Sequence, residues 1–110
     1  MLAQWALTRN LRPLSLSAVP RLPVERLTAN IVAECSREGA ERARPVTLFG
    51  VPRWEGIELF VVLARDATSQ LLVASSLVAP QSEYPALTPA VPAFHVLERE
   101  LCEEFGIVPH

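Results

Sequence analysis

Four of the ten prolines, Pro80, Pro85, Pro89 and Pro92, crowd into the single stretch PQSEYPALTPAVP. Each proline removes a backbone donor and biases the residue before it toward extended geometry, so neither a helix nor a central strand fits there. The stretch reads as an ordered, extended connector. Regular structure must lie on either side of it.

Upstream, Ile57 to Arg65 carries the strongest strand signal. Leu59, Val61 and Leu63 fall on one face and Phe60, Val62 and Ala64 on the other, so the strand is expected at the centre of a sheet. Asp66-Ala67-Thr68-Ser69 is a turn into a second strand, Gln70 to Val78, predicting an antiparallel hairpin. PVTLFGV, ending near Pro52, predicts a preceding strand, with RWEG as the turn between. Earlier still, Leu14, Leu16 and Ala18 alternate with Ser15 and Ser17, the pattern of a short half-buried strand that Pro20 would end.

Two segments repeat at helical spacing instead. Val24, Leu27, Ile31 and Cys35 line one face after Pro23, with Arg37 in the last turn and Gly39 as the expected stop. Phe94, Leu97, Leu101 and Phe105 line a second, which Gly106 should end. The order strand, helix, three strands, helix predicts an α+β fold, a mostly antiparallel sheet with two helices packed on one face. At 110 residues the whole chain, 1–110, is one domain.

The charge and ligand inventory narrows the function classes. All ten basic residues are Arg, eleven of the twelve acids are Glu, and the formal charge is −2, which offers no footprint for a nucleic-acid backbone. Cys35 and Cys102 form no Cys-x-x-Cys, and His95 and His110 give no repeated ligand spacing, so no metal or other cofactor is expected. Both cysteines read as reduced, half-buried thiols. MLAQWALTRNLR lacks a basic region ahead of its short apolar stretch, and no apolar run reaches about 18 residues. A cytoplasmic protein with no direct membrane span is expected.

No phosphate-binding loop and no nucleophile-base-acid arrangement is present, so no catalytic residue is expected. The only dense polar cluster is Glu98-Arg99-Glu100 with Glu103 and Glu104. On a helical wheel Glu98 lies about 40° from Phe94, at the edge of the apolar stripe, while Arg99 and Glu100 point away. Two readings follow for the cluster: Glu98 pairs with an arginine of the sheet or of the first helix, or Glu98 and Arg99 face another polypeptide. His95 reads as a surface imidazole. Trp5 and Trp54 fall outside the strong elements and suit either the open face of the sheet or an interface.

The segment EYPALTPAVPAFHVLERELCEEFGIVP, Glu83 to Pro109, resembles a family of accessory subunits of bacterial NADH-quinone oxidoreductase, respiratory complex I. The same family includes the N-terminal domain of the large subunit of membrane-bound nickel-iron hydrogenases of the formate hydrogenlyase type. The Tyr-Pro and Leu-Thr-Pro run, Val-Pro-Ala, Glu-Arg-Glu and Phe-Gly carry the likeness, and Leu48-Phe49-Gly50, the hairpin and the Pro23 helix extend it over nearly the whole chain. Val96 stands where the family usually has Trp, Cys102 replaces a bulkier residue and Glu103 replaces Asp. The family continues beyond the position of His110, so the chain reads as a stand-alone remnant or an expressed domain.

The resemblance implies a non-catalytic accessory domain of a multisubunit oxidoreductase, without a redox centre of its own, packed against a large catalytic subunit of hydrogenase or complex I type. It implies interface or structural roles for Glu98, Arg99 and Glu100, with Tyr84, Thr88 and Pro89 shaping the connector. Through such a complex the protein would lie peripheral to the inner membrane. The alternative is a stand-alone binding or regulatory module, such as a homodimer joined through the exposed sheet face.

Overall fold

The computed structural model describes residues 4–9 and 14–110. Its frame is a four-stranded antiparallel sheet of β1 (Ala6–Arg9), β2 (Arg44–Arg53), β3 (Gly56–Arg65) and β4 (Gln70–Val78), in the order β1-β4-β3-β2. The doubly apolar β3 is interior, as its two-faced pattern requires. Leu48, Val61 and Ala74 stand side by side across three strands, and so do Gly50, Leu59 and Ser76. The same register puts Glu58, Phe60 and Val62 on the opposite face.

Helices α1 (Val24–Cys35) and α2 (His95–Phe105) both cover the Val61 face. Leu27 and Ile31 of the first and Leu101 of the second join Leu59, Val61, Leu63 and Leu72 in one core. Burying a side chain of this size contributes about 1.5–3 kcal/mol, so this layer supplies most of the driving force for folding. Close approach of α2 to the sheet depends on Gly50. A Cβ there would sit 2.5 Å from the Phe105 ring. Gly106 ends α2 in the left-handed conformation, at φ 68°, and its N–H reaches the Cys102 carbonyl at 2.9 Å.

The N-terminal part departs from the periodicity. The first strand is Ala6–Arg9, and Leu16–Ala18 is a single 3₁₀ turn in place of the expected strand. Ser15 and Ser17 bond each other through their hydroxyls at 2.8 Å, and the Ala18 N–H returns to the Ser15 carbonyl, so the serines close a turn on themselves. The segment lies over the second face of the sheet, where Leu14 and Val19 pack with Phe60 and Val73. It then runs beside β4, Pro20 accepting from Ser75 N–H and Ser75 accepting from Leu22 N–H.

Helix α1 stops at Cys35, ahead of the expected Gly39. Arg37 therefore lies outside the helix and bridges Glu34 at 3.3 Å and Glu41 at 3.1 Å. Gly39, at φ 61°, opens a separate turn. Trp5 packs against the main core under the helices, whereas Trp54 is fully exposed in the β2–β3 turn, so neither covers the second sheet face.

The proline-rich connector is extended only in part, which corrects the expectation: Pro80–Gln81 and Thr88–Ala90 are turns, the second closed by Ala90 and Val91 N–H on the Leu87 carbonyl, and Pro92 opens a 3₁₀ turn, because proline suits the first positions of turns as well as extended backbone. Its Glu83–Tyr84 (β5) pairs in parallel with Val108–Pro109 (β6), tying the segment after α2 to the segment before it. Two-residue strands leave no periodicity to read, which is why this second sheet is invisible in the sequence. No described helix is long and apolar enough to cross a membrane.

Candidate functional site

The connector, α2 and β6 meet around one carboxylate. The apolar stripe of α2 turns Phe94 and Leu101 into the core, and the wheel position of Glu98 carries its side chain in beside them, leaving it 2% exposed. A buried carboxylate must be compensated. The compensation comes from the connector: Glu98 Oε2 accepts from the Tyr84 hydroxyl at 2.5 Å and from Leu87 N–H at 2.9 Å. Oε1 accepts from Thr88 N–H at 2.8 Å and from the Thr88 hydroxyl.

The expected arginine partner of Glu98 is absent among the described residues, and this corrects the sequence reading. Three arginines of the sheet are engaged elsewhere, Arg44 with Asp66 at 2.8 Å, Arg53 with Glu58 at 2.8 Å and Arg65 with Glu34 at 2.6 Å. Prolines explain why the connector can supply what a cation would have supplied. Between Pro85 and Pro89 the chain enters a turn in which the Leu87 carbonyl accepts from Ala90 and Val91 N–H, so the N–H groups of Leu87 and Thr88 at its start lie outside any helix or sheet ladder, and they converge on one acceptor. Four donors to one anion form a set of charge-assisted bonds. Glu98 also sits in the first turn of α2, where a negative charge is favoured.

Tyr84 is correspondingly fixed as a donor. Burial first, and then the hydrogen bond and charge of Glu98, push its phenol far above the ordinary range. Ala86 N–H to the His110 carbonyl and His110 N–H to the Tyr84 carbonyl, at 3.2 and 2.9 Å, hold the surrounding backbone.

Above this buried lock lies an open groove of about 410 Å³. Ala86, Val108 and Pro109 form its apolar wall, Thr88 and Glu98 its floor, and His95 and Arg99 of α2 its other side. Val108 is an exposed large apolar residue within it. Arg99 lies outward and meets Glu103 at 3.5 Å, a solvent-screened pair of small energetic consequence.

Of the residues singled out from sequence, Tyr84, Thr88 and Glu98 form one hydrogen-bonded unit, and Arg99 lines the groove over it. Pro89 and Glu100 are exposed and lie outside the groove lining, Pro89 within the Thr88–Ala90 turn and Glu100 on the polar side of α2. Cys102 is a half-buried free thiol on the groove wall. Cys35 is likewise free, and burial followed by the nearby Glu34 charge pushes its thiol up to about 11. Among the described residues no three His, Cys, Asp or Glu side chains converge as a metal-holding group.

The second buried carboxylate, Glu58 on β3, is a residue that sequence reasoning missed. It accepts from Arg21 Nη2 at 3.0 Å, Arg53 Nε at 2.8 Å and the Ser75 hydroxyl at 2.8 Å. Its signal was present: one acid on an otherwise apolar strand face. Burial works to raise its pKa, and the hydrogen bonds from Arg21, Ser75 and Arg53 outweigh that, so the carboxyl stays below the ordinary range. No family model and no curated protein sequence matches the chain.

Proposed function

We propose that the protein is a non-catalytic accessory domain of a multisubunit oxidoreductase, of the hydrogenase or NADH-quinone oxidoreductase type, which docks on the large catalytic subunit through the groove between α2 and the connector. The observation that carries this reading is the coupling of Glu98 to Tyr84, Leu87 and Thr88. It commits the most buried polar group of the resembling segment to fixing the connector's shape, and it leaves Arg99, His95 and Val108 facing outward around an open groove. An arginine beside apolar side chains on a rigid support is suited to an interface. Fixing the connector in advance lowers the ordering penalty of association.

The test is capture of a hydrogenase-like or complex I-like large subunit encoded by the same organism. Arg99→Ala should melt within about 0.5 kcal/mol of wild type, as an exposed charge usually does, and should capture that subunit at least about tenfold less well. Unchanged capture by a folded Arg99→Ala protein would remove the docking role of this groove.

A further inference from the structure

The opposite face of the sheet holds a second feature, independent of the α2 groove. A cleft of about 540 Å³ opens between the 3₁₀ turn at Leu16–Ala18 and the strands, lined by Leu16, Val19, Arg21, Arg53 and Glu58 with Ser17 at its edge. Two guanidiniums share the single buried carboxylate of Glu58. Glu55 approaches Arg21 only to 3.9 Å and is largely in water, so it offsets little of the second positive charge.

Arg21 directs two nitrogens to Glu58, whereas Arg53 directs only Nε. Both Nη groups of Arg53 have no partner among the described residues. Its guanidinium is nevertheless held in place: Glu58 fixes one edge, and its central carbon lies 5.9 Å from the centre of the Phe60 ring. Phe60 is stacked on exposed Phe49, with centroids 5.4 Å apart. Exposed Leu16 gives the cleft an apolar wall on the other side.

We propose that this cleft docks a segment of a partner protein that presents a carboxylate flanked by apolar side chains. The free fork of Arg53 matches a carboxylate in two parallel bonds, and its charge is the one that Glu58 leaves uncompensated. Because Glu58 and Phe60 already hold the guanidinium, little rotamer freedom is lost on binding. Leu16 and Val19 supply apolar contact beside it.

Amide NMR spectra of the 110-residue chain, titrated with Ac-Leu-Glu-Leu-NH2 and with its neutral isostere Ac-Leu-Gln-Leu-NH2, test the proposal. Saturable shifts should centre on Leu16, Val51 and Arg53, with the glutamyl peptide about tenfold tighter. Arg53→Gln keeps the Arg21–Glu58 pair and should bring the two peptides within about twofold. Leu16→Glu, at an exposed position that leaves the fold alone, should erase the preference with Arg53 still in place. The proposal is overturned by equal affinities, by shifts elsewhere or none that saturate, or by a preference that survives in either variant. Shifts at these amides that depend on protein concentration alone would also overturn it, because the occupant would then be a second copy of the chain.

Discussion

Glu58 and Glu98 are the same residue type, both nearly sealed from solvent, and the molecule compensates them in two different ways. Glu58 sits among cations at the rim of the sheet, with Arg21 and Arg53 reaching in from partly exposed positions. Glu98 is held by groups that cannot leave, two backbone N–H groups, a buried phenol and a threonine hydroxyl. A cation that loses its carboxylate can turn to water. A backbone N–H fixed in a proline-bounded connector cannot. The first arrangement leaves charge at the surface for recognition, and the second turns charge into shape.

The comparison breaks most sharply on Glu98→Ala, which strands all four donors at once. Its loss should be about 3 kcal/mol, a large part of a total of about 5–15 kcal/mol, read from denaturant melts. A loss below about 1 kcal/mol would mean that water replaces the carboxylate without penalty. Glu98→Gln should still lose about 2 kcal/mol, because whichever oxygen becomes the amide nitrogen would face a backbone N–H, of Leu87 or of Thr88, that cannot accept.

Glu58→Gln turns an amide toward two guanidiniums that can only donate, yet should lose only about 1 kcal/mol, since both guanidiniums can turn to solvent once the charge is gone. Raising the salt should shrink that gap and leave the Glu98→Gln gap unchanged. The pH dependence sharpens the contrast further. The folded pKa of Glu58 lies below its ordinary 4.5, so the folded state binds its proton less readily than the unfolded chain. The contribution of Glu58 is therefore full above about pH 4.5 and is lost as the pH falls through the lowered folded value. Wild type and Glu58→Gln should differ by a constant amount near neutrality and converge in acid. Tyr84→Phe should have the smallest effect, about 0.5 kcal/mol, because Glu98 keeps its other three donors.

What could be read in advance follows the same division. The two-faced run of β3, the hairpin turn at Asp66–Ser69, the stripes of both helices and the stop at Gly106 are repeating or local signals, and the structure has each where the pattern put it. The alternation at Leu14–Ala18 misled because serines that bond each other also alternate with apolar residues. The burial of Glu98 was legible from the wheel, which brought it to the edge of the core. Its partners were not: an arginine announces itself in a sequence, whereas the N–H groups of Leu87 and Thr88 belong to every residue alike. Only the prolines around them hinted that those donors would be left outside a ladder. Glu58 could have been flagged as an acid on an apolar face, but Arg21 lies far away in the chain, and only the passage of residues 20–22 beside β4 brings it there.

Amide hydrogen exchange at Leu87 and Thr88 tests the central claim, that a buried carboxylate fixes the connector through its backbone. In wild type both amides should be protected although neither lies in a helix or strand, and in Glu98→Gln, compared under conditions where both proteins are folded, their protection should fall more than that of the β3 amides. Rapid exchange at both positions in wild type, or protection unchanged by Glu98→Gln, would contradict it.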